Sequence, residues 1–229
     1  MPRLYTGSKR NPSGRKHLIL MANMRRKLIL SPTVFAIVSL SMGQQGLGER
    51  ESPSKTIHQL FVEDQADREP PGGDMSKLDW GKIGPRDEAR RKRVRAMLEA
   101  GELKTGVDFR EASFIFQHGS QPDDFLIAHI LATAALAKGD QESRWITAAT
   151  LDRYLHTIGQ SQVFGTQYHN APNEPMTQEP FNRTLVPRQL RDTFCVPDDH
   201  IQQIMLDAFQ HNRQPDLSKY ESERPCKPQ

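Results

Sequence analysis

From residue 57 onward, apolar residues recur every three or four positions, and no stretch alternates convincingly between apolar and polar. That spacing gathers apolar side chains on one helical face, so the pattern predicts helices joined by polar loops. A short helix is expected in "TIHQLFVEDQADRE" (56–69), with Ile57, Leu60 and Phe61 on one face and Asp64 and Arg68 four apart on another. "PPGGDMSKLDWGKIGPRD" (70–87) opens on residues that cannot continue a helix and reads as an ordered loop anchored by Trp80. A second helix is expected from Pro85 to Gly101, with Asp87 and Glu88 near its positive end and Val94, Met97 and Leu98 as its apolar stripe. Its basic run (Arg90, Arg91, Lys92, Arg93, Arg95) reads as a solvated face.

Three more helices have clear punctuation. Asp108 to Gln117 carries Ala112, Ile115 and Phe116 inward and stops at Gly119. Pro122-Asp123-Asp124 starts a segment that is apolar on nearly every side and ends at Gly139, as expected for a helix surrounded by others. "QESRWITAATLDRYLHTIG" (141–159) places Leu151, Tyr154, Leu155 and Ile158 at helical spacing, with Gly159 as C-terminal cap. The Pro-interrupted stretch 170–196 reads as irregular apart from one helical turn near 187–194. A last helix in "PDDHIQQIMLDAFQHN" directs Ile201, Ile204, Met205 and Ala208 inward. The expected fold is all-α: a single compact domain of about five or six helices over 57–212, with an irregular loop before the last helix. Residues 44–56 read as a flexible linker and 213–229 as a disordered tail.

Charge changes the picture at the N-terminus. The 229 residues carry a net charge of +3, yet residues 1–43 hold eight of the basic residues and no acidic one. The remainder has 23 basic against 28 acidic residues, a balance of −5. Such a body lacks the positive field that binds phosphate backbones, so no nucleic-acid partner is expected. "MRRKLILSPTVFAIVSLSMGQQ" (24–45) has the layout of an export signal: a basic start, an apolar core from Leu28 to Leu40, and Ser41 and Gly43 suited to a cleavage site before Gln44. Translation then starts at Met21 or Met24. The core is too short for a bilayer span and contains Pro32, so no stable membrane span is expected after cleavage, and the mature domain is periplasmic or secreted. In that compartment Cys195 and Cys226 could pair; the other reading is one buried cysteine and one in the tail.

No phosphate loop, HExxH, CxxC or GxSxG motif is present, and no cofactor is expected. What remains is a polar set at helix ends. His118 lies just before the 122–139 helix, Asp152 and Arg153 lie in the next, and Gln160, Gln162, Thr166 and Gln167 lie in the loop after it. If those helices form an antiparallel pair, His118 and the 159–168 loop fall at the same end of the bundle. One assignment makes His118 a general acid or base, Asp152 its orienting partner and Arg153 an anion holder. The other makes all of them structural, through caps, salt bridges and loop bonds. A histidine metal site built on His118, His129 or His156 lacks tight ligand spacing, so no metal is expected.

Taken in order, "EDQADR" (63–68), "FQHGSQPDDFL" (116–126), "LDRYL" (151–155) and "QSQVFGTQ" (160–167) resemble a bacterial group of uncharacterised helical domains, the domain-of-unknown-function family 6624. The resemblance covers roughly 57–170. It picks out Asp64, Gln65, Arg68, Gln117, His118, Asp152, Arg153, Gln162, Gly165, Thr166 and Gln167 as motif positions, and it implies a fold and a residue list but no reaction. The family commonly continues with an Arg-Arg pair; here 169–195 hold only the separated Arg188 and Arg191, so an equivalent C-terminal anion site is not carried over. The function expected from the sequence is binding of a protein partner or small ligand at the end carrying His118 and the 160–167 loop, with Asp64, Arg68, Gln117, Gln162, Thr166 and Gln167 as ligand-binding candidates. The alternative is a metal-independent hydrolase or transferase using His118, Asp152 and Arg153.

Overall fold

The computed structural model describes residues 53–171, 173–223 and 226. The expected export signal and most of the linker lie outside them. Among the described residues there are seven α-helices and no β-strand, with only isolated bridges between loops. The helices are α1 (Pro53–Ala66), α2 (Trp80–Glu99), α3 (Gly106–Phe116), α4 (Pro122–Ala137), α5 (Arg144–Thr157), α6 (Arg188–Thr193) and α7 (Asp199–Gln210). No described helix is long and apolar enough to cross a membrane.

The first five helices form the body. α3 packs along α4 and α4 along α5, while α1 and α2 cover the other side of α3. One core cluster joins Ile57 of α1, Val94 and Met97 of α2, Ala112, Ile115 and Phe116 of α3, and Ala128 and Leu131 of α4. Phe116 is fully buried, and truncating such a side chain to Ala costs about 3–5 kcal/mol. Local chemistry places the helix starts. Thr105 and Asp108 make a reciprocal capping box at α3, and at α4 the Asp124 carboxylate accepts from the Ser120 and Gln121 N–H groups.

Several elements depart from the sequence expectation. α2 begins at Trp80, with the Asp79 side chain accepting from the Lys82 N–H, so Pro85 lies inside the helix rather than at its start. Its ring forfeits the bond to the Gly81 carbonyl, a loss that the rest of this 20-residue helix tolerates. Asp87 is consequently mid-helix and buried, not a dipole partner at the N-terminus. Arg90 is buried as well, and so is an exception to the solvated basic face. In α5 the buried residues are Ile146, Thr147, Ala148, Ala149, Thr150 and Asp152, whereas Leu151, Tyr154 and Leu155 are half-buried and Ile158 is exposed. α5 thus turns its small and polar face inward, which lets α4 approach closely through Ala128, Ala132 and Ala135.

The C-terminal part folds back as a second layer. α7 buries Ile201, Met205 and Phe209 against Tyr168 and Leu217. Residues expected to form a disordered tail are therefore partly fixed: Leu217 is buried, 218–223 form a 3-10 turn, and Cys226 is bonded to Cys195 with 5.2 Å between Cα atoms. Residues 53–56, expected in the linker, already belong to α1.

Candidate functional site

Two aspartates organise the end of the bundle where α3 stops and α5 finishes. The first is Asp64 on α1, fully buried. Its Oδ1 accepts from Nη1 of Arg68, one helical turn on, at 3.1 Å, and lies 2.9 Å from Nδ1 of His118. Arg68 also donates through Nη2 to Asp87 at 2.6 Å, and Asp87 accepts from Arg90 at 2.7 Å. Arg90 reaches Asp67 at 2.8 Å, and Asp67 in turn holds the more exposed Arg86 at 2.6 Å. This is a ladder of alternating charges between α1 and α2, and His118 closes it from the end of α3.

His118 sits there because α3 stops. Its carbonyl accepts from Nη1 of Arg91 at 2.6 Å, and Gly119 follows where a Cβ would lie only 2.2 Å from that of Asp124. The imidazole is nearly inaccessible, with 1% of its side chain exposed. Burial lowers its pKa from 6.5 to about 4, opposed by Asp64, so the ring is neutral at pH 7. A neutral ring beside a carboxylate donates from Nδ1, which leaves Nε2 as a lone-pair acceptor. That atom is buried and has no hydrogen-bond partner; the Nε atoms of Arg68 and Arg90 are in the same condition. Burial also pushes the Asp64 carboxyl up, but His118, Arg68 and Arg90 more than offset it and hold the pKa below its usual value.

The second aspartate, Asp152 on α5, is equally buried. Its carboxylate accepts from the backbone N–H groups of Val163 at 2.7 Å, Phe164 at 3.0 Å and Thr166 at 2.9 Å, and from the Thr166 hydroxyl at 2.8 Å. Here burial raises the pKa against those hydrogen bonds. Gln162 completes the loop: its Oε1 accepts from the Gln167 N–H at 2.9 Å, and its amide nitrogen donates to the carbonyls of Gln167 and Gln178. Gly165 has φ 76°, and a Cβ there would approach the Phe181 ring and the Gln202 amide within 2.5–2.6 Å, so the position needs glycine twice over. The loop is thus a constrained structure.

Arg153 links the two systems. Its Nε donates to Oε1 of Gln167 at 2.8 Å and its Nη1 to the Gln117 carbonyl at 2.7 Å, while Phe125 lies under the guanidinium at 5.9 Å. The loop after α5 and the end of α3 are therefore at the same place. Burial and the nearby charge of Arg68 push Arg153 down to about 9, which still leaves it cationic at pH 7. No carboxylate pairs with it among the described residues.

The expected residues divide accordingly. Asp64, Arg68, His118 and Arg153 form the charged part, and Gln117 supplies a carbonyl to it. Gln162, Thr166 and Gln167 shape the loop through internal bonds, with Gln167 alone reaching Arg153. The partner of His118 is Asp64 and not Asp152, whose oxygens are taken by the loop. Asp67, Asp87 and Arg90 were not picked out from the sequence as members of the cluster. A signal existed: Ile83, Asp87, Arg90, Val94 and Met97 follow one buried stripe at alternating spacings of four and three.

Asp64, Asp87 and His118 each offer a ligand atom within 4.8 Å of the others. Both carboxylates are already held by Arg68, so the positive charge a metal would bring to this trio is supplied by guanidinium groups. His129 bonds the Thr147 carbonyl at 3.0 Å, and His156 stacks on His169 at 4.2 Å between centroids, so the candidate histidines do not share one centre. No family model, curated protein or solved structure matches this chain.

Proposed function

We propose that this chain is an exported helical domain that binds a small ligand at the bundle end formed by His118, Arg153 and the 160–167 loop. The observation that carries the proposal is the buried, unpartnered Nε2 of His118, with the ring oriented by Asp64 at 2.9 Å. A buried polar atom without a partner costs free energy, and such atoms in folded proteins generally have an explanation in function or an additional bound group. Its depth favours a small molecule over a protein surface, since a flat partner cannot reach an inward nitrogen. The Cys195–Cys226 bond supports export, because such bonds persist in oxidising compartments. Membership of the domain-of-unknown-function family 6624 is part of the same proposal and rests on the motif residues alone.

Mass spectrometry of small molecules carried by the protein from its native host tests this reading, with His118→Asn as the comparison. An Asn amide can replace Nδ1 toward Asp64 while Nε2 is lost. The expected result is a co-purifying molecule on the wild type that is missing from a cooperatively folded variant. Equal loading of both proteins would overturn the assignment to His118.

The Asp64–His118 hydrogen bond favours a second reading, a hydrolase or transferase in which His118 is the general base and Asp64 orients it. Turnover on a substrate panel that disappears in Asp64→Asn and His118→Asn, with binding retained, would select this reading.

A further inference from the structure

The charges at this end of the bundle balance in number but are not all paired. Four arginines (Arg68, Arg86, Arg90 and Arg153) stand with four aspartates (Asp64, Asp67, Asp87 and Asp152), and among the described residues all of these groups have an ionic partner except Arg153 and Asp152. Arg91 does not change this balance, because its Nε pairs with Asp124 at 3.7 Å. Asp152 is met by neutral loop donors, which leaves the half-buried Arg153 guanidinium as the cation without an acid. Two neutral oxygens, Oε1 of Gln167 and the Gln117 carbonyl, take its Nε and Nη1 protons. A guanidinium has more donors than these bonds use, and neutral acceptors do not offset its charge.

Unused nitrogen lies beside it. The Nε–H groups of Arg68 and Arg90 and Nε2 of His118 are all buried without a hydrogen-bond partner, Arg90 Nε coming no nearer to Asp64 than 3.7 Å, and all three residues converge on Asp64. Unpartnered donors outnumber unpartnered acceptors here. Oxygen acceptors carrying negative charge would match that shortage, whereas a cation would meet the unpaired charge of Arg153 and the arginines that already occupy the carboxylates. The Phe125 ring walls one face of the Arg153 guanidinium, which leaves its edge for a planar or tetrahedral group.

We propose that the ligand taken at this end is a small oxyanion, a carboxylate or a phosphate, bound by Arg153 with the Nε–H groups of Arg68 and Arg90 as the further donors of the cluster and the His118 ring as its neighbour. This rests on the binding function proposed above and names its ligand class. Arg153 is then a binding residue, Asp64 and Gln167 position the groups that bind, and Asp152 acts only by shaping the loop from which Gln167 reaches across.

The test is a titration of the full, disulfide-bonded chain with sodium phosphate, sodium acetate and sodium chloride at constant ionic strength. The signals followed are the His118 ring C–H and Arg153 Nε–H resonances. A saturable shift with phosphate or acetate and none with chloride is the expected result, and the stronger of the two identifies a tetrahedral or planar group. Arg153→Gln should weaken that response by about ten-fold to a hundred-fold, the usual worth of a charged hydrogen bond. Arg153→Lys should keep part of it, and both variants should still unfold cooperatively. A response that survives in Arg153→Gln overturns the proposal. So does a wild type whose His118 signals move with neutral small molecules but not with either oxyanion; binding at this end would then stand and only its ligand class would fall. If His118 is unmoved by oxyanions and by a neutral library alike, both readings fall together.

Discussion

Asp64 and Asp152 are both wholly buried carboxylates at the same end of the bundle, and they are stabilised in opposite ways. Asp152 is surrounded by neutral donors, three backbone N–H groups and one hydroxyl, and every one of those bonds tightens the same short loop. Asp64 is surrounded by ionisable groups, and its partners keep buried nitrogens without partners of their own. The electrostatics follow: burial raises the Asp152 pKa, while His118, Arg68 and Arg90 outweigh burial at Asp64 and lower it. A site whose hydrogen-bonding capacity is filled is a clamp. One that retains unfilled capacity in a dry place is where a ligand can add something.

The largest effect is expected from Asp64→Ala, which strands Arg68, Arg90 and His118 together. Removing one partner of a buried ion pair costs about 3–5 kcal/mol, readable as a loss of stability in urea. A cost below about 1 kcal/mol would show that Asp64 is no more than a surface charge and break the contrast.

Acid should expose the same asymmetry. His118 stays neutral in the fold down to about 4, whereas the unfolded chain takes up a proton near 6.5. Its contribution is therefore complete above 6.5 and disappears as pH falls from 6.5 toward about 4, a span worth about 3 kcal/mol. Asp64, with a lowered pKa, adds its own loss only below its ordinary value of 3.8. Chemical denaturation across this range should show His118→Asn flatter than wild type between pH 6.5 and 4. Equal slopes would remove His118 as the titrating group.

Reducing the Cys195–Cys226 bond, which closes a 31-residue separation, should cost about 3 kcal/mol. Phe194, next to Cys195, packs on Phe164 of the loop with 5.4 Å between ring centroids. Reduction should accordingly perturb amide signals of the Asp152-held loop before those of His118. The reverse order would mean that the disulfide acts on the charged cluster. Asp152→Asn is expected to cost least, about 2 kcal/mol. It keeps an acceptor oxygen but turns an amide NH2 toward loop donors, and hydrogen exchange at Val163, Phe164 and Thr166 should accelerate.

Much of this was legible before any coordinates. The start of α4 at Pro122 and the stops of α4 and α5 ahead of Gly139 and Gly159 are written in the sequence, because caps and turns are local events. The motif blocks also gathered Asp64, Arg68, His118, Arg153 and Gln167 as one set. The pairing inside the set was not legible. Asp152 is closer to Arg153 and the loop in sequence, whereas Asp64 lies 54 residues before His118. Either acid could serve an imidazole equally well in chemical terms. The start of α2 was missed because Pro85 reads as a first-turn residue, and with it the burial of Asp87 and Arg90 was missed.

The chain alone determined that this protein is helical, roughly where each helix lies, and which polar residues are unusual for their neighbourhoods. Those are consequences of interactions spanning a few residues, which helical periodicity and capping encode directly. Only the tertiary structure decided that Asp64 and not Asp152 holds His118, that Arg153 is the one cation of the cluster without an acid, and that the tail is pinned. Those outcomes depend on how helices stack and on which charges lose their water when they do, and no local pattern carries that information.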